Sequence, residues 1–270
     1  MHKGTSTKAI FQKSARRLLI PFLLFLLLGL LLDRWIQSAK IDFNGISFIK
    51  GEFTTFLTNS TLRPTAASWF LLSLFVARIG FNVLYKRIHP IIITIVFACI
   101  AYAIHIINYH GWYIPTFYMG NMCHGLSVYS LGYYLKEKQF DRTIFVFALT
   151  LFVLKYIIPA GIDFRTNTPT GTNYMLSVIY GMSGCVVINN IFMRICNKRL
   201  PVVTYIGCNS MVYYLVHFPV ISVTISLFWE PFAEEELWYR FLVLSFIVTI
   251  YLVMAEYIFR IKRLRFIIGG

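Results

Sequence analysis

The sequence predicts an all-α protein: a polytopic transmembrane helix bundle of about eight spans, with the N- and C-termini in the cytoplasm. Three observations predict it. The 270 residues are 58% hydrophobic and only 13% charged, against about 25% charged residues in soluble domains. Eight apolar stretches approach the ~20 residues needed to cross a bilayer. Lys and Arg gather at alternate ends of those stretches, as the positive-inside bias requires.

The first stretch, 17–34, follows Lys13, Arg16 and Arg17 and could pass for a signal peptide. Asp33-Arg34-Trp35 follows it in place of a small-residue cleavage site, so it reads as a retained span. A loop over 35–65, holding Asp42, Gly45, Glu52 and Pro64, is expected to cap the bundle. The remaining spans are 66–85, 90–109, 113–135, 143–160, 174–196, 205–229 and 238–258. Only His110-Gly111-Trp112 separates the third from the fourth, which demands a tight turn. No polar segment is long enough to fold alone, so one membrane-embedded domain is expected over 1–270, without internal repeat or low-complexity tract.

With the N-terminus inside, seventeen basic residues fall on the cytoplasmic side. They are Lys3, Lys8, Lys13, Arg16, Arg17, Lys86, Arg87, Lys136, Lys138, Arg142, Arg194, Lys198, Arg199, Arg260, Lys262, Arg263 and Arg265. Six fall outside: Arg34, Lys40, Lys50, Arg63, Arg165 and Arg240. Glu234-Glu235-Glu236 also lies outside. The formal net charge of +14 therefore orients helices and does not imply a nucleic-acid partner; the partner is the lipid bilayer. The five cysteines, Cys99, Cys123, Cys185, Cys196 and Cys208, lie in or beside apolar spans. Without ligand-like spacing they read as packing residues, and no metal is expected.

Polar residues inside apolar spans are costly and mark candidate sites. The seventh span reads Asn209-Ser210-Met211-Val212-Tyr213-Tyr214-Leu215-Val216-His217-Phe218-Pro219. Ser210, Tyr213 or Tyr214, and His217 recur at helical spacing on one face. His217 has two readings, a site role or helix–helix hydrogen bonding. Arg78, in the second span, either snorkels to the headgroups or lines a cavity that takes a phosphate or carboxylate. Lys155 reads as snorkelling. His105 and His124 read as packed and hydrogen-bonded to backbone, and His110 as interfacial. Glu256, four residues before Arg260, reads as a helix-surface ion pair. Ser177, Gly181 and Gly184 allow close helix approach in the sixth span, where Asn189 and Asn190 are expected to join helices. Ser210 and His217 raise a hydrolase reading, but neither a Gly-x-Ser-x-Gly elbow nor an intramembrane Asp accompanies them.

Four segments together resemble the membrane acyltransferase family 3. Lys13-Ser-Ala-Arg16-Arg17-Leu-Leu-Ile-Pro21-Phe22 is similar to the family's basic cluster leading into a helix with an early proline. Ala67-Ser68-Trp69-Phe70-Leu71-Leu72-Ser73-Leu74 is similar to its Trp-Phe-Leu span entry. Ser130-Leu-Gly132-Tyr133-Tyr134-Leu135-Lys136 is similar to its Gly-Tyr-Tyr-Leu exit. Tyr205-Ile-Gly207-Cys-Asn209-Ser210, through His217, resembles its Gly-x-x-Ser followed by Tyr-x-x-His. The Trp-Phe-Leu flavour is similar to the fucose 4-O-acetylase-like branch.

The resemblance implies transfer of an acyl group, acetyl in the first instance, from cytoplasmic acyl-CoA to a sugar hydroxyl of a surface or exported glycan. Acetyl-CoA is then a co-substrate and not a bound cofactor. It implies that Lys13, Arg16, Arg17 and Arg78 meet the CoA end. Trp69, Ser210 and Tyr213 would meet the acceptor, and His217 would be a catalytic or site histidine. Lys13 stands where the family commonly has arginine, which loses the bidentate fork. Family members usually carry two further helices before the basic cluster. The first of these bears a basic residue and, eleven positions on, the histidine thought to be the base. Those helices have no counterpart before Lys13 here. Arg78 and His89 repeat the eleven-residue offset, but His89 falls in an inner loop before Pro90. Two other classes stay open: a catalytically incomplete relative with a structural role, and a glycan or lipid-linked-sugar transporter. The latter lacks the related halves and broken helices that transporters show. The acceptor sugar and the oligomeric state, a homo-oligomer included, are left open.

Overall fold

The computed structural model describes residues 7–38, 44–59, 69–111, 119–136, 138, 140–163, 168–169, 173–195, 201–228, 236–261 and 264. It is all-α apart from one pair of two-residue strands. Helix α1 (Thr7–Ser14) passes through a π-helical turn (Ala15–Leu19) into α2 (Ile20–Ser38). There follow α3 (Gly45–Asn59), α4 (Trp69–Leu84), α5 (Pro90–Tyr109), α6 (Gly120–Leu135) and α7 (Arg142–Leu154). Strands β1 (Ile162–Asp163) and β2 (Thr168–Pro169) pair antiparallel before α8 (Tyr174–Ile195), α9 (Pro201–Phe228) and α10 (Leu237–Arg260).

Each of the eight predicted spans overlaps one of these helices, and α2, α7, α9 and α10 run past the predicted bounds. Among the described residues, four helices are long and apolar enough to cross a membrane: Thr7–Leu32, Pro90–Tyr109, Tyr174–Arg194 and Leu237–Arg260. Trp69–Leu84 and Arg142–Leu154 are shorter apolar helices. The fifth expected span ran to 160, but α7 stops at Leu154, ahead of Pro159 and Gly161, which disfavour helix.

One expectation is corrected outright. The loop predicted over 35–65 contains α3. Asn44 starts it, its Oδ1 accepting from the backbone N–H groups of Ile46 (3.0 Å) and Ser47 (3.2 Å). Ile46, Ile49 and Phe53 of α3 are exposed, while Glu52 is buried. Asp42 and Pro64 lie outside the described residues.

The chain divides into two compact units. The first comprises Met1–Phe11 and Ser73–Leu200. Its centre is α5 packed along α6, sewn together by hydroxyl-to-backbone bonds. Ser127 Oγ donates to Thr94 O at 2.8 Å, Thr94 Oγ1 to Ser127 O at 3.3 Å, and Ser130 Oγ to Pro90 O at 2.7 Å. Small residues with hydroxyls let helix backbones approach closely in lipid. Ala77, Phe81, Ile93 and Leu126 form the core, with Tyr85, Tyr129 and Tyr133 around Phe81. Tyr133 Oη donates to Tyr85 Oη at 3.0 Å. The Gly-Tyr-Tyr-Leu segment thus has a packing role: Tyr133 and Leu135 point inward, and Tyr134 lies under Lys138 Nζ, 3.7 Å from the ring centroid.

Helix α8 joins this unit as expected of its paired asparagines. Asn189 Nδ2 donates to Leu135 O (3.3 Å) and Lys138 O (3.1 Å), and Asn190 Nδ2 to Phe140 O (3.4 Å). Gly184 receives the Phe152 ring; a Cβ there would lie 3.1 Å from it. The described cysteines Cys99, Cys123 and Cys185 are free, and Cys99 and Cys185 are exposed, so those two do not pack in a core. Cys196 and the Cys208 side chain lie outside what is described.

The second unit comprises Gln12–Leu72 and Pro201–Gly270. In it α9 packs against both α2 and α10. The π turn is set by an i→i−5 bond from Ile20 N–H to Ala15 O. It ends two residues before Pro21, whose ring crowds the carbonyl four residues back and whose missing N–H removes a bond. A wider turn relieves that crowding.

Of the described glycines, Gly125 leaves the least room for a Cβ. A Cβ there would lie 2.3 Å from Ser73 Oγ, which donates to Asn121 O at 3.1 Å in a fully buried setting. Gly125→Ala must displace that hydroxyl or part α4 from α6, so it should destabilise the purified protein by about 1–3 kcal/mol. Thermal unfolding in detergent measures this. Gly132→Ala, with no heavy atom within 4 Å of the added Cβ, should leave the transition unchanged.

Candidate functional site

Helix α9 supplies three of the residues singled out in the sequence. His217 is half-buried, and its Nδ1 lies 3.0 Å from the Tyr213 carbonyl oxygen. A carbonyl only accepts, so Nδ1 is the donor, and in a neutral ring the lone pair is then on Nε2. Ser210, two turns earlier on the same helix, is exposed and donates to Gly207 O at 2.9 Å. Tyr213 donates its hydroxyl to Glu256 Oε2 of α10.

Trp69 reaches this neighbourhood through aromatic rings. It sits edge-on to Phe70 at 6.1 Å, Phe70 lies 5.4 Å from Tyr214, and Tyr214 lies 5.8 Å from His217. The start of α4 and the middle of α9 are thereby joined within one unit. Each ring contact adds to the apolar burial through its edge-to-face or tilted geometry.

Lys13, Arg16 and Arg17 form a separate exposed cluster at the α1–α2 join. Burial of Ser14, Leu18, Phe22 and Phe25 on the other side of the same segment turns the three cations outward. Both arginines belong to the π turn; such turns are frequent at functional sites. Arg78 lies in the first unit, and its Nε is buried without a hydrogen-bond partner among the described residues.

Glu256 corrects the sequence reading. It does pair with Arg260, at 2.6 Å, but its side chain is only 7% exposed against 50% for Arg260, so this is not a surface pair. Oε1 accepts from Tyr205 as well as Arg260, and Oε2 accepts from Tyr213. Arg260 also donates to the Tyr205 hydroxyl. The signal that could have found it is local: Glu256 interrupts the run Val253-Met254-Ala255 and Tyr257-Ile258-Phe259. An ionisable residue so flanked rarely faces lipid.

The remaining histidines take other places. His124 is packed as expected, but its Nε2 is hydrogen-bonded to the Tyr174 hydroxyl, a side chain and not backbone. His105 stacks on the Tyr174 ring at 4.8 Å with a 12° interplanar angle. His110 is exposed at the end of α5. His89 caps the start of α5, accepting from Ile91 N–H at 3.4 Å, which gives it a structural task in place of the eleven-residue pairing with Arg78.

A family model described as an acyltransferase domain, that of acyltransferase family 3, matches residues 2–256. No curated protein and no solved structure matches the chain. The match covers nearly the whole sequence, and the chain belongs to this family of membrane acyltransferases.

Proposed function

We propose that this chain is an integral membrane O-acyltransferase of the cell's inner, cytoplasmic membrane. It moves an acyl group, acetyl first, from cytoplasmic acyl-CoA to a sugar hydroxyl of a surface or exported glycan. The family match over residues 2–256 carries the reading. The apolar helices support it, because a donor on one side and an acceptor on the other need a protein that spans the lipid.

The chain's own side chains suggest a division of labour. Lys13, Arg16 and Arg17 offer exposed positive charge for the CoA phosphates, and Arg78 offers its guanidinium to the pyrophosphate or the thioester end. Trp69 offers a stacking face to the sugar. Ser210 and Tyr213 line the acceptor path. His217 takes the proton of the sugar hydroxyl at Nε2 as the oxygen attacks the thioester carbon. The new C–O bond forms, the C–S bond breaks, and the proton passes to the departing thiolate. The tetrahedral oxyanion in between needs hydrogen-bond donors.

Membranes carrying the full chain, supplied with acetyl-labelled acetyl-CoA and an acceptor glycan, should label carbohydrate. His217→Ala should lower kcat about 10²-fold or more, the range expected for loss of a general base, whereas His110→Ala should not. An unlabelled glycan pool, with a family control labelled in parallel, would falsify the reading.

A second expectation concerns the donor. Arg16→Ala and Arg17→Ala should each raise KM for acetyl-CoA about tenfold, as befits one lost charge-assisted contact. The kcat should change little, and the added effect of salt on KM should fall in the variants. Initial rates across an acetyl-CoA series measure this.

A further inference from the structure

We infer that Glu256 is a positioning residue: its carboxylate clamps α9 through Tyr205 and Tyr213 and so sets where His217 stands. The inference rests on the reading of His217 as the base.

A carboxylate buried among apolar side chains persists only when paired and hydrogen-bonded. Glu256 meets both conditions. Arg260, one helical turn away on α10, donates to Oε1 at 2.6 Å and supplies the countercharge. Both oxygens then reach across to α9, Oε1 to Tyr205 and Oε2 to Tyr213. An i,i+4 ion pair needs none of this; it would be satisfied at the surface. Burial and the two tyrosine donors are what require another explanation.

Two grips do what one cannot. Tyr205 and Tyr213 are eight residues apart, about 12 Å along the axis at 1.5 Å per residue. One hydrogen bond leaves a helix free to roll about its axis, and two from residues at different heights on α9, meeting at one carboxylate, resist both roll and slide. His217 stands one turn beyond Tyr213, and its Nδ1 bonds to the carbonyl of Tyr213 itself. The imidazole is therefore oriented by the residue that Glu256 holds. A roll of about 20° moves a side-chain atom about 6 Å from the axis by roughly 2 Å. A misplacement of about 1 Å can cost about 10²-fold in rate. Small freedom in α9 is thus enough to matter, and the clamp removes it.

The test uses the full chain in lipid nanodiscs and the variants Glu256→Gln, Tyr213→Phe and Tyr205→Phe. Two readouts are taken: kcat and KM for acetyl transfer, and the rate at which diethyl pyrocarbonate modifies each histidine, resolved by mass spectrometry. Glu256→Gln should lower kcat about tenfold or more, with KM for acetyl-CoA nearly unchanged. The modification rate of His217 should change several-fold while those of His110 and His124 hold. Tyr213→Phe should act in the same direction, and its combination with Glu256→Gln should be less than additive. Tyr205→Phe keeps one grip and should fall between. The proposal is overturned if His217 reacts at the wild-type rate in all three variants, or if every histidine speeds up together, which marks general loosening. If His217 shifts as expected but the wild-type chain transfers no acetyl group, the clamp stands and the acyltransferase reading falls.

Discussion

Polar side chains cannot look to water for partners inside an apolar span, so they find them on neighbouring helices, and those partnerships hold each unit together. The first unit is built this way from hydroxyls and backbone. Ser127 gives a hydrogen to Thr94 O, Thr94 shares its own between Pro90 O and Ser127 O, and Ser130 reaches Pro90 O. Carbonyls already bonded along their own helix can accept a second hydrogen through the other lone pair, so α5 and α6 are joined without breaking either helix. The second unit is built from charge. A buried glutamate would be costly alone, and Arg260 with two tyrosines makes it a joint between α9 and α10.

The helices were legible in the sequence because apolar length and the side bias of Lys and Arg both report on the bilayer, and lipid is a uniform solvent. Span 90–109 coincides with α5, and 174–196 with α8 to within a residue. Helix α3 was missed because its apolar residues face outward and its stretch is broken by Thr, Asn and Gly, so neither length nor hydropathy singles it out. Only Asn44, an N-cap in the structure, marked its start. The asparagines of α8 were legible as helix-joining because a side-chain amide at membrane depth has few other uses. Glu256 was not, because the i,i+4 pairing with Arg260 offered a sufficient account of both residues. Which way a helix faces is a tertiary fact, and a correct local rule concealed it. His124 shows the same limit: that it is satisfied follows from its setting, but its partner Tyr174 lies fifty residues away on another helix.

Trp69 and His217 illustrate how sequence-distant candidates become one neighbourhood. Nothing in their spacing connects them, yet Phe70 and Tyr214 bridge them ring to ring. Aromatic rings offer both an apolar body for packing and a face or edge for a ligand. A surface lined this way can serve a sugar, whose ring presents apolar C–H faces between hydroxyls.

Hydrogen-bond polarity limits what α9 can offer such a ligand. Ser210 spends its one proton on Gly207 O, and Tyr213 spends its own on Glu256. His217 spends the Nδ1 proton on Tyr213 O. In the neutral state none of the three has a further proton to donate, and each keeps a lone pair. On the proposed reading, α9 can receive protons from sugar hydroxyls, as an acceptor-binding wall and a base must. These three side chains do not supply the donors that a tetrahedral oxyanion requires. Those donors belong to side chains that still carry unspent protons. A guanidinium is of the right chemical kind, since it donates through every nitrogen and accepts through none.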